Sequence, residues 1–149
     1  MKNSPEGFGM EALIDELRRD EGEVLHAYPD HLGYLTLGVG RLIDKRKGGG
    51  ISADESAYLL RNDVARFVAD LDRELPWWRD LDPVRQRVLI NMAFNLGIKG
   101  LMGFRNTLRM VREGDYAGAA EGMLNSLWAR QVKGRAVRLS EMMKTGKAS

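Results

Sequence analysis

Three polar side chains have the types and the spacing for one kind of chemistry: Glu21, then eight residues to Asp30, then five to Thr36. Cleaving a glycosidic bond calls on two carboxyl groups. One is protonated and gives its proton to the leaving oxygen; the other is ionised and either attacks the anomeric carbon or activates a water. Glu21 suits the first role. At the last turn of a helix it faces the negative end of the helix dipole, with Asp20 and Glu23 beside it, and both disfavour its ionised form. Asp30, in an open turn, suits the second role, and Thr36 offers a hydroxyl on the strand that returns from that turn. The same residues also have an ordinary structural reading, since acids near helix ends and Asp in turns are common.

The elements that must hold these groups are legible from periodicity. Met10, Leu13, Ile14 and Leu17 recur at helical spacing up to Glu21, and Gly22 follows as the residue that most readily takes a left-handed cap. Tyr28-Pro29-Asp30-His31-Leu32-Gly33 has turn chemistry, and Leu35, Leu37 and Val39 then alternate with Tyr34, Thr36 and Gly38, which predicts a hairpin with a two-faced strand. Lys45 to Gly50 reads as a basic, flexible loop closing a small sheet. Ser52 with Glu55 three residues on is a capping box, and the apolar stripe from Ala57 through Leu60, Val64, Phe67, Val68 and Leu71 to Leu75 predicts a long helix ending at Pro76. Asp82-Pro83 opens the next helix, which runs to Gly97. Helical segments at 105–113, 116–128 and 135–145 complete a helical second half, and residues 1–8 and 146–149 are expected to be loose ends.

Composition narrows the function classes. Cysteine is absent and His26 and His31 are the only imidazoles, which removes disulfide scaffolds, thiol nucleophiles and the usual zinc sites. No metal and no cofactor are expected. No apolar run approaches the ~18 residues of a membrane span, and Met1 to Met10 lacks the apolar stretch of a secretory signal, so a start in the cytoplasm and no stable membrane insertion are expected. Residues 1–75 carry 10 Lys and Arg against 15 Asp and Glu, whereas residues 76–149 carry 13 against 6. That basic second half suits an anionic partner: nucleic acid, an acidic membrane surface or an anionic cell-wall polymer. Trp77-Trp78 after Pro76 reads either as packing between core elements or as a platform for a sugar ring, and Trp128, in a stripe with Met123, Leu124 and Leu127, reads as core.

Arg19-Asp20-Glu21-Gly22, Tyr28-Pro29-Asp30 and Gly33 to Gly40 together resemble the T-even phage lysozymes, glycoside hydrolase family 24, in all three spacings of the Glu, Asp and Thr pattern. Asp82 to Asn95 and Gly103 to Met110 resemble that family's C-terminal lobe, so the likeness covers nearly the whole chain. The resemblance implies a mostly helical α+β fold in one domain: a small lobe at about 10–52, a connecting helix at 53–75, and a helical lobe at 76–149 on which the first helix packs. It implies a monomeric endolysin muramidase that hydrolyses the β-1,4 bond between N-acetylmuramic acid and N-acetylglucosamine in peptidoglycan with inversion. Glu21 would be the acid, Asp30 would activate the water and Thr36 would help hold it.

Family substrate contacts fall on Leu42, Phe94 and Thr107, and one further polar contact falls on Gly122, where it is lost or replaced. Leu42 and Phe94 fit a core role equally well. Arg135 matches a family arginine that pairs with the catalytic Glu. Arg41 departs from the pattern, standing where many members carry a histidine paired to an acid on the long helix; Asp63 is the matching acid, and an Arg41–Asp63 ion pair is the expectation. The setting implied is the bacterial host's cytoplasm, with a holin-type pore as the route to the wall and host lysis as the outcome. Rival readings are a lytic transglycosylase, which needs a Glu and makes an anhydro product without water, an inactive wall-binding relative, and a helical nucleic-acid-binding module. Asp30 and Thr36 speak against the first, the complete triad against the second, and all three residues against the third.

Overall fold

The computed structural model describes residues 7, 9–43 and 50–148. Helix α1 (Met10–Glu21) is followed by strands β1 (Val24–Pro29), β2 (Leu35–Gly38) and β3 (Arg41–Leu42), and then by helices α2 (Ala53–Glu74), α3 (Pro83–Met102), α4 (Arg105–Glu113), α5 (Tyr116–Leu124), α6 (Leu127–Val132) and α7 (Gly134–Thr145). This is the mostly helical α+β class expected. The chain divides into two compact units, residues 1–57 and 58–149, with the boundary inside α2. Of the basic loop Lys45–Gly50 only Gly50 lies among the described residues, as does only Gly7 of the expected loose start.

In the first unit the three strands form an antiparallel sheet in the order β1-β2-β3. Thr36, in the middle strand, faces Tyr28 on one side and Leu42 on the other. It is the only buried residue among those described in this unit, at 2% exposure. Main-chain pairing and turn chemistry, rather than an apolar core, therefore hold the sheet's form. Helix α1 stops at Gly22, whose positive φ of 75° turns the chain away while its N–H still bonds to the Arg18 carbonyl.

The second unit has a true core, built on Leu71, Trp78, Val88, Leu89, Met92, Leu101, Met123 and Met143, all at 1% exposure or less. Helix α5 packs on α4 and α7, and α7 also meets α3 and α6. Two helix boundaries differ from the sequence reading. The helix opened by Asp82 continues past Gly97, which kinks it with φ 77° and ψ 159° instead of ending it. The stretch 116–128 is two helices, because the Ser126 hydroxyl accepts the Ala129 N–H and so caps the start of a new one. Trp128 is core as expected, 3% exposed, with its indole N–H bonded to Asn95 Oδ1 at 2.7 Å and its ring edge-on to Phe104.

Arg85 joins distant parts of this unit. Its guanidinium donates to the carbonyls of Met143 and Lys144 at 2.7 and 3.0 Å and to Asp82 at 3.0 Å, and it lies 3.5 Å from the centroid of Tyr116. A cation on the last carbonyls of α7 meets the negative end of that helix. Gly146, with φ 72°, caps α7 and leaves room for the clamp, since a Cβ there would come within 2.8 Å of Arg85 Nη1. The end expected to be loose is thus pinned as far as Gly146.

Candidate active site

Asp30 is set by its own turn. Its Oδ1 accepts the backbone N–H groups of Leu32 at 2.9 Å and Tyr34 at 2.8 Å, while its N–H donates to the Tyr34 carbonyl at 2.8 Å. An aspartate at the head of a tight turn can make these local bonds because its side chain is short and polar. Among the described residues nothing is bonded to Oδ2, so one carboxylate oxygen is fixed and the other is left for a ligand or water. The Thr36 hydroxyl donates to the same Tyr34 carbonyl at 2.9 Å. One residue's main chain therefore orients both Asp30 and Thr36, and the donated hydroxyl proton leaves the Thr36 oxygen to accept a further one.

Glu21, the last residue of α1, is located by Gly40. A Cβ built on Gly40 would sit 3.2 Å from Glu21 Oε2 and 3.4 Å from its Cδ, so the carboxyl rests on the bare Cα of the β2–β3 turn. Gly40 has φ 69°, which glycine adopts without the strain other residues would carry. The sequence reading includes Gly40 only as the end of the Gly33 to Gly40 stretch and gives it no role. Only a glycine in a glycine-rich turn (Gly38-Val39-Gly40) hints at it, and such turns usually need no neighbour to explain them.

The structure corrects the pairing of Arg41. Its guanidinium forks onto Glu55, with bonds of 2.6 and 2.7 Å, and its Nε donates to the Gly50 carbonyl at 3.0 Å. Asp63 pairs with Arg66, one turn along the same helix. Glu55 closes the capping box as expected, accepting the Ser52 N–H at 2.7 Å while its own N–H bonds to Ser52 Oγ at 3.1 Å. That bend turns its carboxylate back toward the helix start, where the planar guanidinium can take both oxygens. The Arg41 bond, followed by the Ser52 N–H, pulls the Glu55 carboxyl down to about 2. The capping box was the available signal, but its usual reading ends at the Ser52 backbone.

Leu42, half-buried on β3, sits across from Thr36. In the second unit, Phe94 and Arg135 share a groove of about 400 Å³ with Leu60, Val64, Ile90 and Asn91. Phe94 is 41% exposed, so it is a surface ring and not core, and it leans on Phe67 with centroids 5.5 Å apart. The Arg135 guanidinium is held by Asn91 Oδ1, at 2.9 and 2.6 Å. Thr107 is buried at 6%, and its hydroxyl lies so near Gly122 that a Cβ there would approach to 2.5 Å. Gly122 is therefore where α5 admits a side chain of α4, which accounts physically for the missing polar group. His26 and His31 are exposed, and no cluster of three His, Asp or Glu able to hold a metal occurs among the described residues. No helix among them is long and apolar enough to cross a membrane.

Comparison with known proteins places the chain in a family. The family model described as phage lysozyme matches residues 18–143, a span that contains Glu21, Asp30, Thr36 and Arg135. The chain is 32% identical to the pre-baseplate central spike protein Gp5 of Enterobacteria phage T4 over 91% of its own length, and spans 28% of that longer protein. It is 28% identical to probable T4-type lysozyme 1 of Dictyostelium discoideum, with 91% of this chain and 95% of the relative covered. To the endolysin of Salmonella phage P22 it is 33% identical, with 80% and 82% covered.

Proposed function

The chain belongs to the phage lysozyme family of cell-wall-hydrolysing glycosidases, and from that premise we propose that it hydrolyses the β-1,4 bond between N-acetylmuramic acid and N-acetylglucosamine in peptidoglycan. Glu21 gives its proton to the departing glycosidic oxygen. Asp30, through the free Oδ2, takes a proton from a water whose other hydrogen bonds to the Thr36 oxygen, and the water's lone pair forms the new bond at the anomeric carbon as the old one breaks. Water enters on the face opposite the leaving group, so the configuration inverts. Leu42, Phe94 and Thr107 are assigned to the glycan by the family resemblance, and the exposed Phe94 ring and the Asn91-held Arg135 line the groove of the second unit. The observation that carries this reading is the shared anchor: Tyr34 fixes one oxygen of Asp30 and the proton of Thr36, leaving one acceptor on each for a single water. The protein acts as a monomer and reaches the wall from the bacterial cytoplasm through a holin-type pore, a setting that the endolysin relative supports.

The test is to digest purified peptidoglycan and identify the soluble fragments by mass spectrometry, with folded Glu21→Gln and Asp30→Asn variants alongside. Asparagine keeps an oxygen for the Leu32 and Tyr34 N–H groups, so the turn survives while the base is lost. Fragments ending in reducing muramic acid, released roughly 10² to 10⁴ times more slowly by each variant, are expected. Anhydro-muramic ends, lighter by one water, or an Asp30→Asn enzyme as fast as the parent, would overturn the hydrolytic role of Asp30.

A further inference from the structure

Away from the groove just described, the second unit carries a smaller hollow of about 260 Å³, lined by Leu75, Trp77, Met102, Leu108 and three arginines of α4, Arg105, Arg109 and Arg112. It is smaller than the roughly 300–1,000 Å³ of sites for drug-sized ligands, and so suits a single ring. Trp78 is committed to the core and bonds Asp72 through its indole N–H, whereas Trp77 is only half-buried and presents part of its ring to the hollow. The two tryptophans thus divide the two readings of the pair between them.

The charge of this hollow is one-sided. Many arginines sit beside acids, as in Arg18 with Asp15, Arg66 with Asp63 and Arg73 with Asp70, while Arg61, Arg87, Arg130 and Arg138 stand without an ion pair among the described residues and away from this hollow. On α4, Arg109 has Glu113, but Arg105 and Arg112 have no ion pair or hydrogen bond among the described residues, and no acid lines the hollow. Arg105 also stands at the first position of α4, where no side chain caps the helix and the dipole disfavours a cation. An anion there would relieve both conditions. Spacings of four and three residues put the three guanidiniums on one face, above an apolar floor of buried Leu75 and Leu108.

We infer that this hollow is a second holding site for peptidoglycan, taking one sugar ring against Trp77 and the carboxylates of that sugar's stem peptide on Arg105 and Arg112. A guanidinium fork matches a carboxylate, and the tryptophan supplies an apolar face of the size of a pyranose. The inference rests on the proposed wall substrate. Its role is retention: a chain that holds one stretch of a polymer stays near the next bond to be cut.

The experiment measures co-sedimentation of the Glu21→Gln protein with purified sacculi, which reads binding without cleavage, and compares it with the same protein carrying Arg105→Gln and Arg112→Gln. A rise of about tenfold in the dissociation constant is expected, with the two arginine changes leaving the active enzyme's kcat/KM on short soluble glycan fragments as it was. Removing stem peptides from the sacculi with an amidase should reproduce the loss. Unchanged binding by the double variant, an equal loss from a control pair at exposed Arg130 and Arg138, or full binding to peptide-stripped sacculi would each overturn the site. So would displacement from sacculi by duplex DNA through the same two arginines, which would make the partner a nucleic acid. Failure of the unmodified enzyme on the soluble fragments would instead refute the proposed hydrolysis, and is read separately.

Discussion

Alanine at Gly40 tests whether the turn beneath Glu21 sets the acid's position. Two costs combine there. Gly40 has φ 69°, where a residue with a Cβ loses about 1–2 kcal/mol, and the new Cβ would lie 3.2 Å from Glu21 Oε2, so the carboxyl must shift by a few tenths of an ångström. Gly38, two residues earlier, separates the costs: its φ is 62° and a Cβ built on it meets nothing within 4 Å. Gly38→Ala and Gly40→Ala should therefore lose similar stability, about 2–8 °C in thermal midpoint for a chain of this size. Only Gly40→Ala should also lose turnover, about three- to tenfold, on the scale by which a ~1 Å misplacement costs ~10²-fold. The assay pairs thermal unfolding with the rate of reducing-end release at saturating peptidoglycan. Equal turnover in the two variants, at matched stability, would refute the idea that Gly40 holds the acid in place.

Acid titration should reveal the Arg41–Glu55 fork. Because the Glu55 carboxyl is pulled down to about 2 from 4.5, its contribution is fully present above pH ~4.5 and is lost as pH falls toward 2, so the difference in thermal midpoint between the parent and Glu55→Gln should shrink across that window. A difference that stays constant would mean the fork carries no pH-dependent stability. At Gly122 the expected sign opposes helix propensity: alanine should destabilise by about 1–3 kcal/mol, through the 2.5 Å approach to Thr107 Oγ1, although Gly to Ala inside a helix ordinarily stabilises. Thr107→Ala should relieve much of that loss, and simple additivity in thermal unfolding would disprove the contact.

The elements of this fold are legible wherever a local signal sets them. The 22 residues of α2 begin within the Ser52–Glu55 box, right after Ser52, and end before Pro76, because capping and the loss of a backbone donor are properties of neighbouring residues. The Asp30 turn and the two-faced strand after it are readable for the same reason. Gly97 misleads because a glycine with positive φ can end a helix or only kink it, and the residues beyond it decide; Ile98 to Met102 resume the helix, with Leu101 fully buried. Ser126 sits inside an apolar stripe whose periodicity masks its capping potential. At the site, residue types and their spacing are in the sequence, but partners are not. The first half of α2 offers Arg41 three acids, Asp54, Glu55 and Asp63, and the choice among them depends on where the capping box has already turned Glu55. Gly40 shows its importance only once the end of α1 has been placed upon it.

The Arg85 clamp imposes an order on the making of the molecule. Its guanidinium finds its farther acceptors at Met143 and Lys144, separated from it by 58 and 59 positions. Arg85 leaves the ribosome before those carbonyls do, so the arginine waits as an unfilled socket while the intervening helices emerge. The clamp can therefore close only once α7 has emerged, and a ribosome stalled before α7 leaves a nascent chain with that socket open.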